Sequence, residues 1–395
     1  MSLSRREFVR TLGIGGAGTL SMAAIIGRGR EALAWGPDPL DSMAQAADQQ
    51  IVISSNENPR GPGQAALDAI SGRTNHRVGR YGRDVARTEL PEAIARVLGK
   101  GTKSENILLS TGSGGILTAA VRAYCSPSKR LVNGAPSYGS PTAAAQEIGA
   151  DARLVPVDDD LRLDLDAMAE AANGAGLVFL CNPNNPTSTL HGLTAVTAFV
   201  DRVKSSSPDT AILIDEAYID YATDPTVGTA IGPALEHSDV FIARTFSKAY
   251  GMAGLRLGYA AGQTETLAKL RSAWGLGDVS LLTAAAAVGS LNDPAHMREE
   301  REENGRIRDY TISAFKEMGY EAAGSQTNFL FVNIGRPARD FREACAARGV
   351  RVGRDFPPME KTHARISIGT MEEMQRAVEV FREVLGAATM SSAAR

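Results

Sequence analysis

Residues 243–259 read ARTFSKAYGMAGLRLGY, and they begin at the end of the apolar run VFIA. The run is typical of a buried strand, so Thr245, Ser247 and Lys248 come where the strand ends, with Arg256 eight residues after the lysine. The carboxyl ends of parallel strands face the ligand crevice of a sheet. Hydroxyls and a guanidinium suit a phosphate, and an amine suits a carbonyl with which it forms a Schiff base. An isolated Ser-Lys pair would be a solvated turn. The presence of Thr245 and Arg256 beside this pair instead favours a site for a phosphate-bearing carbonyl cofactor.

Short apolar runs alternate with helix-length segments from about residue 105 onward. Seven runs are rich in branched side chains, and they begin at positions 107, 130, 153, 177, 211, 240 and 257. Such alternation is typical of parallel strands joined by helices. The sequence therefore predicts an α/β fold with a large, mostly parallel seven-stranded sheet that is covered by helices on both faces.

A second pattern begins near Asn304 and predicts a smaller C-terminal α/β domain. Its predicted elements are a helix over 304–318, a strand over 328–334, a helix over 337–348, a strand over 364–368 and a final helix. Thr370 and Glu373 have the spacing of a capping box at the start of that final helix. One apolar face of it should contain Met374, Val378, Phe381 and Leu385. We expect a large domain over 61–290 and a small domain over 291–395.

Three further loops follow predicted strands and carry polar residues. The string LVFLCNPNNPTS (177–188) contains Asn185, which could equally belong to a simple turn. The string AILIDEAYIDY (211–221) ends its strand at Asp215, a candidate helix cap or a candidate partner for a pyridinium nitrogen. The string LLSTGSGGI (108–116) is a Gly-rich loop before a helix, where backbone amides can bind phosphate.

Charge and cysteine content exclude several other classes of protein. The chain of 395 residues has 42 basic and 45 acidic residues, a net charge of −3, and no basic stripe of the kind that binds nucleic acid. Cys125, Cys181 and Cys345 are far apart and odd in number, which predicts free, buried thiols. The five histidines lack metal-ligand spacing, so we expect no metal site.

The first 34 residues form a separate segment. They contain Arg5 and Arg6 in SRREF, then a Gly/Ala-rich apolar stretch and an Ala-Leu-Ala sequence ending at Ala34. This resembles a twin-arginine signal peptide that addresses the twin-arginine translocase, with a mitochondrial leader or an anchor helix as alternatives. We expect a periplasmic or secreted protein without stable membrane insertion, in which residues 35–60 form an N-terminal arm.

Taken together, the motifs resemble the fold-type I pyridoxal 5'-phosphate (PLP) aminotransferases, and among them the histidinol-phosphate aminotransferase-like branch. The likeness extends from SSNENPRGPG near residue 54 to ARISIGT near residue 364. It implies that Lys248 binds the cofactor covalently, that Asp215 meets the pyridine nitrogen, and that Asn185 and Tyr218 bond the ring hydroxyl. Other cofactor contacts would come from Ser113, Gly114, Tyr138, Thr245, Ser247 and Arg256.

The resemblance also implies a homodimer and a substrate site. Tyr81, in RYGRD, would reach the phosphate site of the second subunit. Arg365 and Asn185 would bind the substrate, with Arg365 holding the α-carboxylate in a bidentate manner, for which lysine is no substitute. Arg354 lies near where this branch holds a substrate phosphate, or is a solvated strand end.

Two departures from the branch leave the substrate open. Gly114 and Gly115 stand where an acidic pair is usual, and Ser188 replaces the last glycine of NPTG. The resemblance implies transfer of an amino group between an amino acid and a 2-oxo acid by a ping-pong mechanism. Decarboxylation, racemisation or oxidation on the same fold is the alternative, since the fold does not fix which α-bond breaks. A PLP-binding sensor is a different class, against which the intact Lys248, Asp215 and Arg365 argue.

Overall fold

The computed structural model describes residues 50–79 and 85–392. The predicted signal segment (1–34), most of the predicted arm and Tyr81 lie outside these residues. The strands are β1 (Ile51–Ile53), β2 (Ile107–Ser110), β3 (Leu131–Ala135), β4 (Ala152–Pro156), β5 (Leu177–Cys181), β6 (Ala211–Asp215), β7 (Val240–Thr245), β8 (Gly258–Gly262), β9 (Glu321–Ala322), β10 (Phe329–Asn333), β11 (Val350–Val352) and β12 (His363–Ser367).

Helices separate most of these strands. They are α1 (Gln64–Ser71), α2 (Leu90–Leu98), α3 (Ser113–Tyr124), α4 (Ser140–Glu147), α5 (Leu165–Ala171), α6 (Leu193–Ser206), α7 (Ile231–Glu236), α8 (Thr264–Ala273), α9 (Leu281–Leu291), α10 (Pro294–Glu317), α11 (Ala338–Ala346) and α12 (Met371–Ser392). Among the described helices, none is both long enough and apolar enough to cross a bilayer.

The seven predicted strands form one seven-stranded sheet in the order β2-β8-β7-β6-β5-β3-β4. All neighbouring pairs are parallel except those of β8, which runs antiparallel to β2 and β7. Parallel neighbours need a crossover helix, and the segment between β7 and β8 contains only a short 3₁₀ turn at Ala253–Leu255. The predicted α/β class with a mostly parallel sheet is therefore confirmed.

The central strands are buried along their whole length, because helices cover both faces of the sheet. One core lies on each face. The cysteines Cys125, Cys181 and Cys345 are free and buried, as the sequence predicted.

The C-terminal part has its own smaller sheet and core. Strand β10 pairs antiparallel with β12 and β9, and β1 pairs parallel with β11. The capping box of α12 is present: Thr370 N donates to Glu373 Oε2 at 2.7 Å, and Glu373 N donates to Thr370 Oγ1 at 3.2 Å. The predicted apolar face of α12 is buried in this core.

Two features of this part differ in extent from the sequence expectation. The helix predicted over 304–318 begins at Pro294, since Asp293 Oδ1 accepts from His296 N at 3.1 Å and proline suits the first helical turn. Strand β1 lies within the predicted arm, where Ile51 and Ile53 point into the smaller core and Val52 is exposed. The domain boundary near residue 290 stays a prediction.

Candidate active site

One cavity of about 690 Å³ lies at the carboxyl ends of β5, β6 and β7. Parallel strands end at the same edge of a sheet, so the loops after these three strands bring Asn185, Tyr218 and Lys248 together. Twelve predicted site residues line this cavity: Ser113, Gly114, Tyr138, Asn185, Asp215, Tyr218, Thr245, Ser247, Lys248, Arg256, Arg354 and Arg365.

Lys248 is partly buried, and its amine is held by backbone carbonyls. Nζ donates to Ser55 O at 3.1 Å and to Asn56 O at 3.0 Å, and it lies 5.7 Å from the centroid of the Tyr218 ring. Burial, together with the positive charge of Arg365, lowers the pKa of Lys248 from 10.5 to about 8. A larger share of the amine is therefore uncharged and nucleophilic near neutral pH than for a surface lysine.

Asp215 is the last residue of β6 and is 4% exposed. Burial raises the pKa of its carboxyl from 3.8 to about 7, opposed by a hydrogen bond that Asp215 Oδ1 accepts from Ala217 N at 3.2 Å. A buried carboxylate of this kind needs a cationic partner. A protonated pyridine nitrogen in the cavity would supply one.

The phosphate-binding candidates surround the start of α3. Ser113 is the first residue of this helix and Gly114 the second, so backbone amides with the positive end of the helix dipole open into the cavity. A Cβ on Gly112 would lie 2.3 Å from Arg256 Nη2, and the φ of 88° at Gly112 also requires glycine. Glycine at this position therefore lets the helix terminus and the guanidinium approach each other in the arrangement seen here.

Arg256 completes this group from the segment between β7 and β8. Its backbone is in the left-handed region with φ of 58°, an uncommon conformation for a residue with a side chain. Arg256 Nη1 donates to Ala253 O at 2.9 Å and to Ser247 Oγ at 3.4 Å. Ser247 N in turn donates to Thr245 Oγ1 at 3.1 Å. A helix terminus, three hydroxyls and one guanidinium form a donor set that fits a phosphate dianion.

Arg365, on β12, is 7% exposed. Nη1 donates to Asn185 Oδ1 at 2.9 Å, Nη2 donates to Ser54 O at 2.6 Å, and Nε is buried with no hydrogen-bond partner among the described residues. Burial lowers the pKa of Arg365 to about 10. A buried guanidinium with no carboxylate partner is costly, and an anionic ligand would relieve that cost.

Arg354 and Arg365 share an aromatic neighbour. The guanidinium carbon of Arg354 lies 4.4 Å from the centroid of the Phe356 ring, and that of Arg365 lies 4.7 Å from it. Arg354 is exposed and donates to Asp355 O at 3.2 Å. The cavity therefore offers two cations to a substrate, one buried and one exposed.

Sequence reasoning missed part of the cavity lining: Ser54, Ser55, Asn56, Leu117, Cys181, Ala217, Arg342 and Val352. The most important omission is the segment 54–56, whose backbone carbonyls contact Lys248 and Arg365. The polar string SSNENP directly after the alternating IVI was the available signal.

These residues fit PLP. The lysine, the buried carboxylate and the phosphate-binding donor set match the carbonyl, the ring nitrogen and the phosphate of that cofactor. Within the described residues, no group of three or more His, Cys, Asp or Glu could hold a metal ion.

Comparison with known proteins agrees with this geometry. The family Aminotransferase class I and II matches residues 48–381. The histidinol-phosphate aminotransferase of Moorella thermoacetica is 36% identical over 339 residues, which are 85% of this chain and 85% of that protein. The aromatic amino acid aminotransferase of Streptomyces avermitilis is 32% identical over 359 residues, which are 88% of this chain and 95% of that protein.

One similar solved structure contains the cofactor. The histidinol-phosphate aminotransferase of Sinorhizobium meliloti, determined in complex with pyridoxal-5'-phosphate, superposes with a TM-score of 0.78 at 26% identity. The match covers 94% of this chain and 99% of that one.

Proposed function

Since the chain belongs to the class I and II aminotransferases, and is a PLP-dependent enzyme that moves an amino group between an amino acid and a 2-oxo acid, we propose which residues do this work. Lys248 binds the cofactor and carries protons, Asp215 partners the pyridine nitrogen, and Arg365 binds the substrate carboxylate. One observation carries the proposal: a lysine with a lowered pKa, a buried carboxylate and a buried arginine line the same cavity.

When bound, PLP supplies the carbonyl that takes up the amino group and the ring that withdraws electrons from the substrate. With the cofactor and substrate in place, the free Lys248 Nζ would accept the proton from the substrate Cα and later return it. The lowered pKa suits this role, because a general base works best when its pKa is near the operating pH. The second substrate reverses the steps, which gives ping-pong kinetics.

Asp215 holds a proton at the pyridine nitrogen. Its carboxylate is buried, so it favours a cationic neighbour over a neutral one. Tyr218 and Asn185 would hydrogen-bond the hydroxyl of the cofactor ring, and Tyr138 would contact the ring. Ser113, Gly114, Thr245, Ser247 and Arg256 hold the phosphate.

The amino donor is an α-amino acid whose carboxylate pairs with Arg365. The position of the Arg365 guanidinium in the lining of the cavity supports this assignment, because a buried cation there favours an anionic ligand. Arg354 would bind an additional anionic or polar group on one of the two substrates. Histidinol phosphate and aromatic amino acids, for which two relatives are named, are both compatible with a cavity whose lining includes Arg354 and Arg365.

A half-reaction screen tests this proposal. Purified enzyme is mixed with aromatic amino acids, dicarboxylic amino acids or histidinol phosphate, and loss of the cofactor's visible absorbance is followed. A panel of 2-oxo acids then restores the absorbance. Histidinol phosphate lacks the α-carboxylate, so reaction with it but with no amino acid would contradict the role of Arg365.

The active unit is a homodimer. Support comes from the resemblance of RYGRD, which assigns Tyr81 to the phosphate site of the second subunit, and from the prevalence of two-fold symmetric dimers among oligomers. Light scattering of the active enzyme measures the assembly directly.

The protein is exported by the twin-arginine translocase and acts in the periplasm or outside the cell. Support comes from Arg5 and Arg6 in SRREF and from the Ala-Leu-Ala sequence ending at Ala34. Export in the folded state also suits a protein with three free cysteines. N-terminal sequencing of the mature protein should give Trp35.

A further inference from the structure

Asn56 contacts the reactive lysine and its neighbouring tyrosine at the same time. Its backbone carbonyl accepts from Lys248 Nζ at 3.0 Å, and its side-chain Nδ2 donates to the Tyr218 hydroxyl at 3.1 Å. We propose that Asn56 is a positioning residue for amino-group transfer, which holds Lys248 through its carbonyl and directs the Tyr218 proton into the cavity. This inference rests on the proposed roles of Lys248 and Tyr218.

The orientation of the Asn56 amide follows from its second neighbour, Ser367. Asn56 N donates to Ser367 Oγ at 2.9 Å, so the serine hydroxyl is free to donate its own proton, and it does so to Asn56 Oδ1 at 2.7 Å. Because Oδ1 is used as an acceptor, the NH₂ end of the amide faces the Tyr218 hydroxyl. Asn56 is 1% exposed, so water does not compete for these contacts.

The backbone conformation of Asn56 makes the double contact possible. Its φ of 55° is in the left-handed region, which asparagine tolerates better than most residues. Asn328 Nδ2 donates to Asn56 O at 3.1 Å and thereby holds the carbonyl that accepts from Lys248. A buried, left-handed residue that is held from three sides is a rigid support for the site.

The Tyr218 hydroxyl oxygen accepts two amide donors, Asn56 Nδ2 at 3.1 Å and Asn185 Nδ2 at 3.4 Å. Two acceptor positions are all that a hydroxyl oxygen has, so its own proton is left to donate to a ligand in the cavity. Donors to the phenol oxygen make the phenol a stronger hydrogen-bond donor in turn. Asn56 therefore strengthens the donation from Tyr218 to the cofactor.

Charged and titratable groups also face Tyr218 from four strands or the loops that follow them. They are Cys181 on β5, Asp215 on β6, Lys248 after β7 and Arg365 on β12. The side chains of these four residues are the same in wild type and in the Asn56 variants, so a shift in the titration of the cofactor is assigned to the change at position 56.

The test compares Asn56→Asp and Asn56→Gly with wild-type holoenzyme. Asp keeps the size and the acceptor to Ser367 but replaces the amide donor by a carboxylate. That carboxylate accepts the Tyr218 proton and adds negative charge, so the pH midpoint of the cofactor's visible absorbance should rise by about 1 pH unit. Gly removes the donor and tolerates the left-handed backbone, and a smaller rise should result.

The kinetic expectation separates positioning from substrate binding. The value of kcat should fall about 10-fold or more in both variants, as expected when one orienting hydrogen bond is lost. KM for the amino donor should change little, because Asn56 is placed to touch the lysine and the tyrosine rather than the substrate.

Asn58→Ala is the matched control. Asn58 belongs to the same segment and is 8% exposed, but its side chain bonds Ala249 O at 3.1 Å and Arg60 N at 2.9 Å. Its absorbance midpoint should equal that of wild type. An unchanged midpoint in Asn56→Asp would overturn the proposal, and so would an equal shift in Asn58→Ala, which would reveal a general loosening of the segment. Failure of wild type to show any visible band that an amino acid removes would instead refute the proposed function itself.

Discussion

Replacing Lys248 with methionine should stabilise the cofactor-free protein at neutral pH. Burial and the positive charge of Arg365 lower the pKa of Lys248 from 10.5 to about 8, which at about 1.4 kcal/mol per pKa unit disfavours the buried ammonium by about 3 kcal/mol. The hydrogen bonds to Ser55 O and Asn56 O offset this by about 0.5 to 1 kcal/mol each. Methionine has a similar length and no charge, so the free energy of unfolding should rise by about 1 to 2 kcal/mol.

The sign of the pH dependence gives a second check. The pKa of Lys248 is lower in the folded protein than in the unfolded chain, so between pH 8 and 10.5 the unfolded chain binds a proton that the folded protein does not. The buried lysine therefore lowers the free energy of unfolding by its full amount below pH 8. This penalty decreases as the pH rises from 8 to 10.5. The advantage of the methionine variant should be largest at pH 7 and should disappear above pH 10.5.

Urea denaturation of the cofactor-free proteins at the two pH values measures both effects. Lys361→Met, at an exposed position, is the control and should change the stability little at either pH. A Lys248→Met protein that is less stable than wild type at pH 7, or a gap that does not narrow with pH, would refute the reasoning. Most core substitutions destabilise, so the expected direction is itself discriminating.

The same position should be essential for the reaction. Lys248→Ala should retain PLP without a covalent bond, because the phosphate and ring contacts remain, and it should not transfer amino groups. Wild-type turnover in this variant would show that another group does the work.

Four further substitutions test the other proposed roles. Asp215→Asn should retain the cofactor and lose several orders of magnitude in kcat, measured by steady-state kinetics, and wild-type turnover would contradict its role at the ring nitrogen. Arg365→Lys should raise KM for the amino acid by about 10- to 100-fold, because a bidentate contact becomes a single one; an unchanged KM would place the carboxylate elsewhere. Tyr81→Phe should weaken PLP affinity by about 10-fold, and unchanged affinity together with a monomeric active wild type would exclude a shared site. Lysine at both Arg5 and Arg6 should keep full-length, active enzyme inside the cell, and cell fractionation showing mature enzyme outside would point to another export route.

The strands of the large sheet could be predicted from the sequence because each is marked by a short local pattern of apolar residues. Most strands are short apolar runs followed by a helix, and Asp215 is recognisable because it directly ends such a run, while Lys248 follows the end of β7 by three residues. The edge where these strands end is common to all parallel members of the sheet. Fold and reactive groups therefore follow from patterns that span only a few residues.

The contribution of the segment 54–56 could not be predicted in the same way. The string SSNENP marks the segment as polar, but its contacts to Lys248 and Arg365 use backbone carbonyls, and side-chain identities do not show which partner a carbonyl meets. They also join residues that are 193 and 311 positions apart. The short pairing of β1 with β11 holds the segment in place, and a three-residue strand gives too little periodicity to be recognised.

Burial links the chemistry of the site to the segment that covers it. The pKa of Asp215 rises to about 7 and that of Lys248 falls to about 8, and in both groups burial is the largest cause. The carboxyl of Asp215 and the amine of Lys248 ordinarily have very different pKa values. Exclusion of water from the cavity brings these two pKa values close together. Ser55 and Asn56 contact the amine with their carbonyls, and the negative charge of Glu57 opposes the lowering of the Lys248 pKa, so the N-terminal segment helps to set the proton affinity of this lysine. The reactivity of the lysine therefore depends on a part of the chain that is remote from it in sequence.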